Sequence, residues 1–145
     1  MKDVFLGIGS NVDHAKNVPA YLKLLKQTFR VKKISSIYET EPVGPAGREN
    51  FWNLAVLIET DLQPVDLTRE VRKIEKKLGR RRNENKFAPR TIDIDLLPQP
   101  GYQQQAFMMI PLAEIAPAGA DPETGKTFGE LAAALKDKPS VRKIG

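Results

Sequence analysis

The run Thr91-Ile92-Asp93-Ile94-Asp95-Leu96-Leu97 alternates apolar and polar residues with period two, the pattern of a strand buried on one side. Ile92, Ile94 and Leu96 share one face, so the two carboxylates share the other. This strand closes a series that can be followed backwards. Ahead of it lies a basic segment from Arg80 to Arg90, preceded by a helix in which Leu67, Val71, Ile74 and Leu78 recur at helical spacing. Gln63-Pro64 opens that helix and Gly79 suits its end. Earlier still, Phe51 to Thr60 reads as a strand with Trp52, Leu54, Val56 and Ile58 on one face and Phe51, Asn53 and Ala55 on the other. A Pro- and Gly-bearing loop, Glu41 to Asn50, separates it from the β-branched stretch Val31 to Tyr38. Val18, Tyr21, Leu22, Leu25 and Phe29 mark a first helix, with Asn17 as its N-cap and Pro19 in its first turn. The strand Asp3 to Ile8 begins the chain and breaks at Gly9-Ser10-Asn11.

The order β-α-β-β-α-β predicts an α+β fold of ferredoxin-like type, with a mostly antiparallel sheet and helices packed on one face. Two short C-terminal helices, over PLAEIAP and Phe128 to Leu135, are expected to cover the sheet edge. The 145 residues contain no internal repeat or linker, so a single domain over 1–145 is expected.

Composition narrows the chemistry. The chain has no cysteine and one histidine, His14, which excludes disulfides, thiolate nucleophiles, zinc-thiolate sites and imidazole clusters. Any metal must be held mainly by oxygen. No apolar run is long enough to span a bilayer and the start MKDVFLGIGSN lacks the features of a signal peptide, so a cytoplasmic protein is expected. Net charge is +5, but Arg72 to Arg90 alone holds nine Lys or Arg against two Glu. Alone, such a run is a solvated basic face. Directly after it, however, come Asp93 and Asp95, a pair suited to one or two hard cations such as Mg²⁺. Cations beside a dication site suit a nucleoside triphosphate, whose transferring group accumulates negative charge. Ala120 to Thr127 loosely matches a phosphate-loop pattern, but no strand precedes it, Pro122 removes a donor, and Asp121 and Glu123 carry the wrong charge. It reads as a surface turn before a short helix. A second constellation, Tyr38 to Pro45 with Phe51-Trp52-Asn53, suits a slot for a flat ring, with stacking faces and polar groups at its edge; taken alone, Phe51 as core and Asn53 as a strand-end cap is the better reading.

Six segments in order carry a family resemblance: GSN from Gly9, YET with VGP between Tyr38 and Pro45, FWN from Phe51, GRRR from Gly79, APRTIDIDLL from Ala88 and FMMIPLAEIAP from Phe107. Together they resemble the 6-hydroxymethyl-7,8-dihydropterin pyrophosphokinases of folate synthesis over nearly the whole chain. The resemblance implies that Asp93 and Asp95 hold two Mg²⁺ ions on the phosphates of ATP, and that Arg80, Arg82 and Arg90 steady those phosphates from a catalytic loop. It implies that Phe51 and Phe107 sandwich the pterin while Thr40, Val43 and Asn53 satisfy its edge. The reaction implied is attack of the pterin hydroxymethyl oxygen on the β-phosphorus of ATP, with AMP leaving. Partners would be ATP and a reduced pterin alcohol, without nucleic acid or membrane, in a monomer or weak homodimer.

The pattern departs from the family between Leu97 and Phe107. Members usually carry a longer segment with a Pro-His pair and an Arg two places before the stacking Phe; here stand PQPGYQQQA and Gln105. Both missing residues belong to the nucleotide side, which raises an alternative: a pterin-binding paralogue with weak or no transferase activity. A nucleic-acid module on a similar fold lacks the interleaved basic and stacking residues it needs on a strand.

Overall fold

The computed structural model describes residues 1–10, 14–40, 50–78, 92–135 and 142–144. Strand β1 (Lys2–Ser10) lies inside the sheet, paired on both edges, and both its faces are covered: Val4, Leu6 and Ile8 pack on one side, and Phe5 on the other. Strand β4 (Phe51–Thr60) pairs with it antiparallel from Lys2↔Thr60 to Ser10↔Trp52. On its other edge β5 (Asp93–Leu97) pairs antiparallel from Phe5↔Leu97 to Gly9↔Asp93. The strand order is β5-β1-β4-β3-β6, with β2 (Arg30–Ile34) and β3 (Tyr38–Thr40) both on β4 and β6 (Arg142–Lys143) on β3.

The single strand expected over Val31–Tyr38 is thus divided. Its register against β4 shifts between Val31 and Lys33, and again between the pairs Ile34↔Val56 and Tyr38↔Asn53. Ser35 bridges the second shift: its N–H donates to the Ala55 carbonyl at 2.9 Å and its Oγ accepts from the Ala55 N–H at 2.8 Å. A side chain stands in for a displaced carbonyl, and the extra residue bends the strand.

Helices α1 (His14–Thr28) and α2 (Pro64–Lys77) pack on one face, as the sequence predicted. Val18, Tyr21 and Leu25 of α1, with Leu67, Val71 and Ile74 of α2, meet Leu6, Ile8, Leu54, Val56, Ile58, Ile92 and Ile94 of the sheet. Each such side chain contributes about 1.5–3 kcal/mol. Helix α1 starts earlier than expected, so Asn17 lies within it and Pro19 is interior. The stripe that α1 buries on the sheet offsets the hydrogen bond Pro19 cannot make.

The C-terminal helices are placed differently from the expectation. Helix α3 (Ala106–Ile115), which begins upstream of PLAEIAP, and α4 (Phe128–Ala133) lie on the opposite face of the sheet rather than over its edge. The cause is in β1, β4 and β5, where Phe5, Ala55, Leu57 and Leu97 make that face apolar too, and Met109, Leu112, Ile115 and Phe128 cover it. These contacts gather toward one end of the sheet.

Residues 120–127 form a turn ahead of α4, joined by a bridge between Ala120 and Thr127 and capped where Thr127 and Glu130 exchange hydrogen bonds. Buried Asp121 organises the turn. Its carboxylate accepts from the Thr124 hydroxyl (2.6 Å), the Thr124 amide (2.8 Å) and the Tyr102 hydroxyl (2.6 Å), which ties the 3₁₀ turn Tyr102–Gln104 to it. Burial pushes this carboxyl up, but the hydrogen bonds from Thr124, Tyr102 and Gln103 outweigh it and hold Asp121 well below the usual carboxylate range. A depressed folded-state value contributes stability above the unfolded-state value, about pH 4 for Asp, and loses it as pH falls toward the folded value. Urea midpoints measured from neutral pH down to pH 3 should therefore decline below about pH 4. Asp121→Asn should be less stable at neutral pH and flatter over the acid range.

Candidate active site

Cross-strand pairing aligns four residues in one row: Asp93, Gly9, Asn53 and Tyr38 on β5, β1, β4 and β3. A parallel row holds Asp95, Gly7 and Ala55. Paired residues point to the same face of a sheet. Asp93 and Asp95 therefore project from the face that carries Asn53, opposite the core that buries Ile92 and Ile94, as the alternation predicted. Between the acids and the amide β1 presents only glycine. The acids and Asn53 stand two strand spacings apart, about 10 Å, across a floor of Gly9 and Gly7, the latter flanked by the Leu97 side chain. A Cβ built on Gly9 would sit 3.3 Å from Asn53 Oδ1, so the amide oxygen leans over this floor.

Asn53 is fixed from the other side. Its Nδ2 donates to Thr40 Oγ1 at 2.9 Å, and both residues are buried. With the nitrogen engaged, Oδ1 is left to accept over Gly9. Phe51, paired with Thr40 and half-buried, starts β4 on this same face; Trp52 faces the α1/α2 core instead, against which it is partly buried.

Helix α3 is moored to the row by Glu114, whose carboxylate accepts from the Tyr38 hydroxyl (2.5 Å) and from the Ser36 amide (2.9 Å) and hydroxyl (3.2 Å). Burial pushes the Tyr38 phenol well above its usual range, and Glu114 adds to the shift by hydrogen bond and charge. Burial also acts to raise the Glu114 carboxyl, but the bonds from Tyr38 and Ser36 prevail and lower it. Phe107 lies seven residues before Glu114, hence on the same stripe of α3 and about 10 Å along its axis. It is half-buried and lies off the Met109–Leu112 stripe that fills the core.

A family model for 7,8-dihydro-6-hydroxymethylpterin-pyrophosphokinase matches residues 5–117. The chain belongs to this family. Among its relatives is the 2-amino-4-hydroxy-6-hydroxymethyldihydropteridine pyrophosphokinase of Aquifex aeolicus, 32% identical over 90% of this chain and 91% of the relative. The proteins of the same name from Bacillus subtilis and Synechocystis are 38% and 34% identical, over 77% and 87% of this chain and 76% and 72% of their own lengths. As a pterin pyrophosphokinase the protein is an ATP-dependent enzyme that transfers a pyrophosphoryl group to hydroxymethyldihydropterin in folate biosynthesis.

Of the residues singled out from the sequence, Thr40, Phe51, Asn53, Asp93 and Asp95 share one sheet face, and Phe107 lies in the first turn of α3. Val43, Arg80, Arg82 and Arg90 lie outside the described residues. Sequence reasoning took Gly9 only as part of the GSN motif and did not single out Glu114 or Gly7. It also missed Arg72 and Glu75, which bind β5 from behind. Glu75 carried a signal: an acid one residue after Ile74 on the apolar stripe of α2, where a buried side chain is due. The glycine floor generates a test. Gly9→Val should impose an overpacking cost of about 1–3 kcal/mol on ligand binding, an affinity loss of about tenfold or more for the reduced pterin in fluorescence titration, with secondary structure by circular dichroism unchanged.

Proposed function

We propose that the pterin lies across Gly9 with its polar edge at Asn53 and its hydroxymethyl group toward Asp93 and Asp95. One observation carries this reading: Asn53 Oδ1, Gly9 and the two carboxylates follow one another across a single face of the sheet. Asn53 Oδ1 accepts from a ring N–H, Thr40 keeps that amide oriented, and Val43 adds to the ring's edge. Phe51 and Phe107 supply apolar faces for stacking. The glycines let the ring approach the backbone, where any side chain would occupy its place.

The carboxylate pair suits Mg²⁺, and we assign it two ions. Asp93 and Asp95 would hold such an ion, a hard cation that keeps waters and takes further ligands from substrate phosphates. When bound, Mg²⁺ neutralises charge on the triphosphate and aligns it. The chain's own work is positional. Asp93 and Asp95 hold their oxygens at one end of the floor, and Arg80, Arg82 and Arg90 steady the phosphates. The pterin hydroxymethyl oxygen forms a bond to the β-phosphorus as the bond from β-phosphorus to the α-bridging oxygen breaks; AMP leaves with that oxygen and the hydroxyl proton is released. No covalent enzyme intermediate is required. On this reading the protein acts in the cytoplasm as a monomer or weak homodimer, on ATP and a reduced pterin alcohol, with neither nucleic acid nor membrane. No described helix is long and apolar enough to cross a membrane.

A second reading, a pterin-binding paralogue with weak transfer, draws on the shortened segment before α3. Gln105 stands at the α3 N-cap, its Oε1 buried and without a partner, where the family pattern places an arginine. An uncharged amide there leaves less positive charge for a triphosphate. A coupled assay for AMP release separates the readings. We expect Mg²⁺-dependent turnover that falls about a hundredfold or more in Asp95→Ala; tight pterin binding with no AMP would favour the paralogue.

A further inference from the structure

We propose that Arg72 and Glu75 are positioning residues that set the angle at which β5 presents Asp93 and Asp95. The proposal rests on the assignment of those two carboxylates to Mg²⁺. Glu75, fully buried on α2, accepts the Ile94 N–H on Oε2 at 3.0 Å. Arg72, one turn earlier, donates from Nη1 to the Ile94 carbonyl at 2.7 Å and to the same Glu75 oxygen at 2.5 Å. One ion pair therefore takes both polar groups of the peptide residue that sits between the two acids.

The sheet topology explains why this matters. Strand β5 ends the strand order, with β1 as its partner in the sheet. In an antiparallel ladder, alternate residues turn their N–H and C=O away from the partner strand. Ile94 is such a residue, which leaves Asp93 and Asp95 to exchange with Gly9 and Gly7. An edge strand held on one side alone is free to roll about its axis and to fray. This one also carries two carboxylates on one face. Held by β1 on one edge and by the ion pair on the other, β5 keeps both side chains turned to the glycine floor. The side chain of Arg72 retains 33% exposure and that of Glu75 2%, and the bonds from Arg72 and Ile94 help to offset the loss of water by Glu75. A hydrophobic pair of similar volume would fill the space but leave the Ile94 peptide unpaired. The device thus serves geometry over stability.

Three measurements on the full chain test it. Amide hydrogen exchange without ligands should show Ile94 protected in the wild type and exchanging faster in Arg72→Met and Glu75→Gln. Mn²⁺ binding in the presence of a non-hydrolysable ATP analogue should weaken about tenfold in Arg72→Met, the lower end of what partners behind metal ligands contribute. Pterin affinity should stay within about twofold, and Arg72→Lys, which keeps a donor, should recover most of the Mn²⁺ affinity. If Glu75→Gln does not fold, Arg72→Met carries the test, since its side chain is partly exposed. Unchanged Mn²⁺ affinity and Ile94 exchange in folded Arg72→Met overturns the proposal, as does parallel loss of Mn²⁺ affinity, pterin affinity and melting temperature. Asp95→Asn is the control. Should it bind Mn²⁺ as the wild type does, the carboxylate assignment fails, a result distinct from failure of the Arg72–Glu75 bracket alone.

Discussion

The antiparallel ladders on both edges of β1 are the constraint on which the rest depends. They place Gly9 opposite Asp93 on one side and Asn53 on the other, and Gly7 opposite Asp95 and Ala55. Because side chains alternate with period two, a slip of one residue on either edge would send the acids or the amide into the α1/α2 core. Burial of Ile92, Ile94, Leu54 and Val56 on the other face opposes such a slip. The hydrophobic core thus acts as the register lock for a polar face it never touches.

The sheet's second covering layer lies on the same side as that polar face. Helices α3 and α4 bury Phe5, Ala55, Leu57 and Leu97 and gather toward one end. Two polar knots hold this layer in place. Glu114 ties the end of α3 to Ser36 and Tyr38, where the edge strand breaks, and Asp121 ties the turn before α4 to Tyr102. In both, the carboxylate accepts hydrogen bonds enough to offset its burial, so the layer is held by directional contacts as well as apolar area.

Much of this was legible in the linear pattern. Helical spacing located α2, alternation located β4 and β5, and the order of elements led to the ferredoxin-like arrangement. Strict period two also sufficed to put Asp93 and Asp95 on one face and to part Phe51 from Trp52. Other features had no local signature. The break at Ser35–Ile37 depends on how an edge strand follows the twist of β4, and the site of α3 depends on an apolar face assembled from β1, β4 and β5 together. Glu114 reads as one more acid on a helix until the fold brings Tyr38 to it.

The sequence by itself determined which elements form and which side chains share a face, because both follow from the repeat of a single backbone segment. It also carried the family, through motifs spread along the chain. Only the tertiary structure decided which faces look at one another: that Asn53 looks across glycine toward the acids, and that Arg72 and Glu75 grasp the peptide between them. The physical reason is that these relations join residues far apart in the chain, through register and helix packing, and no periodicity within one segment encodes the partner that another will supply.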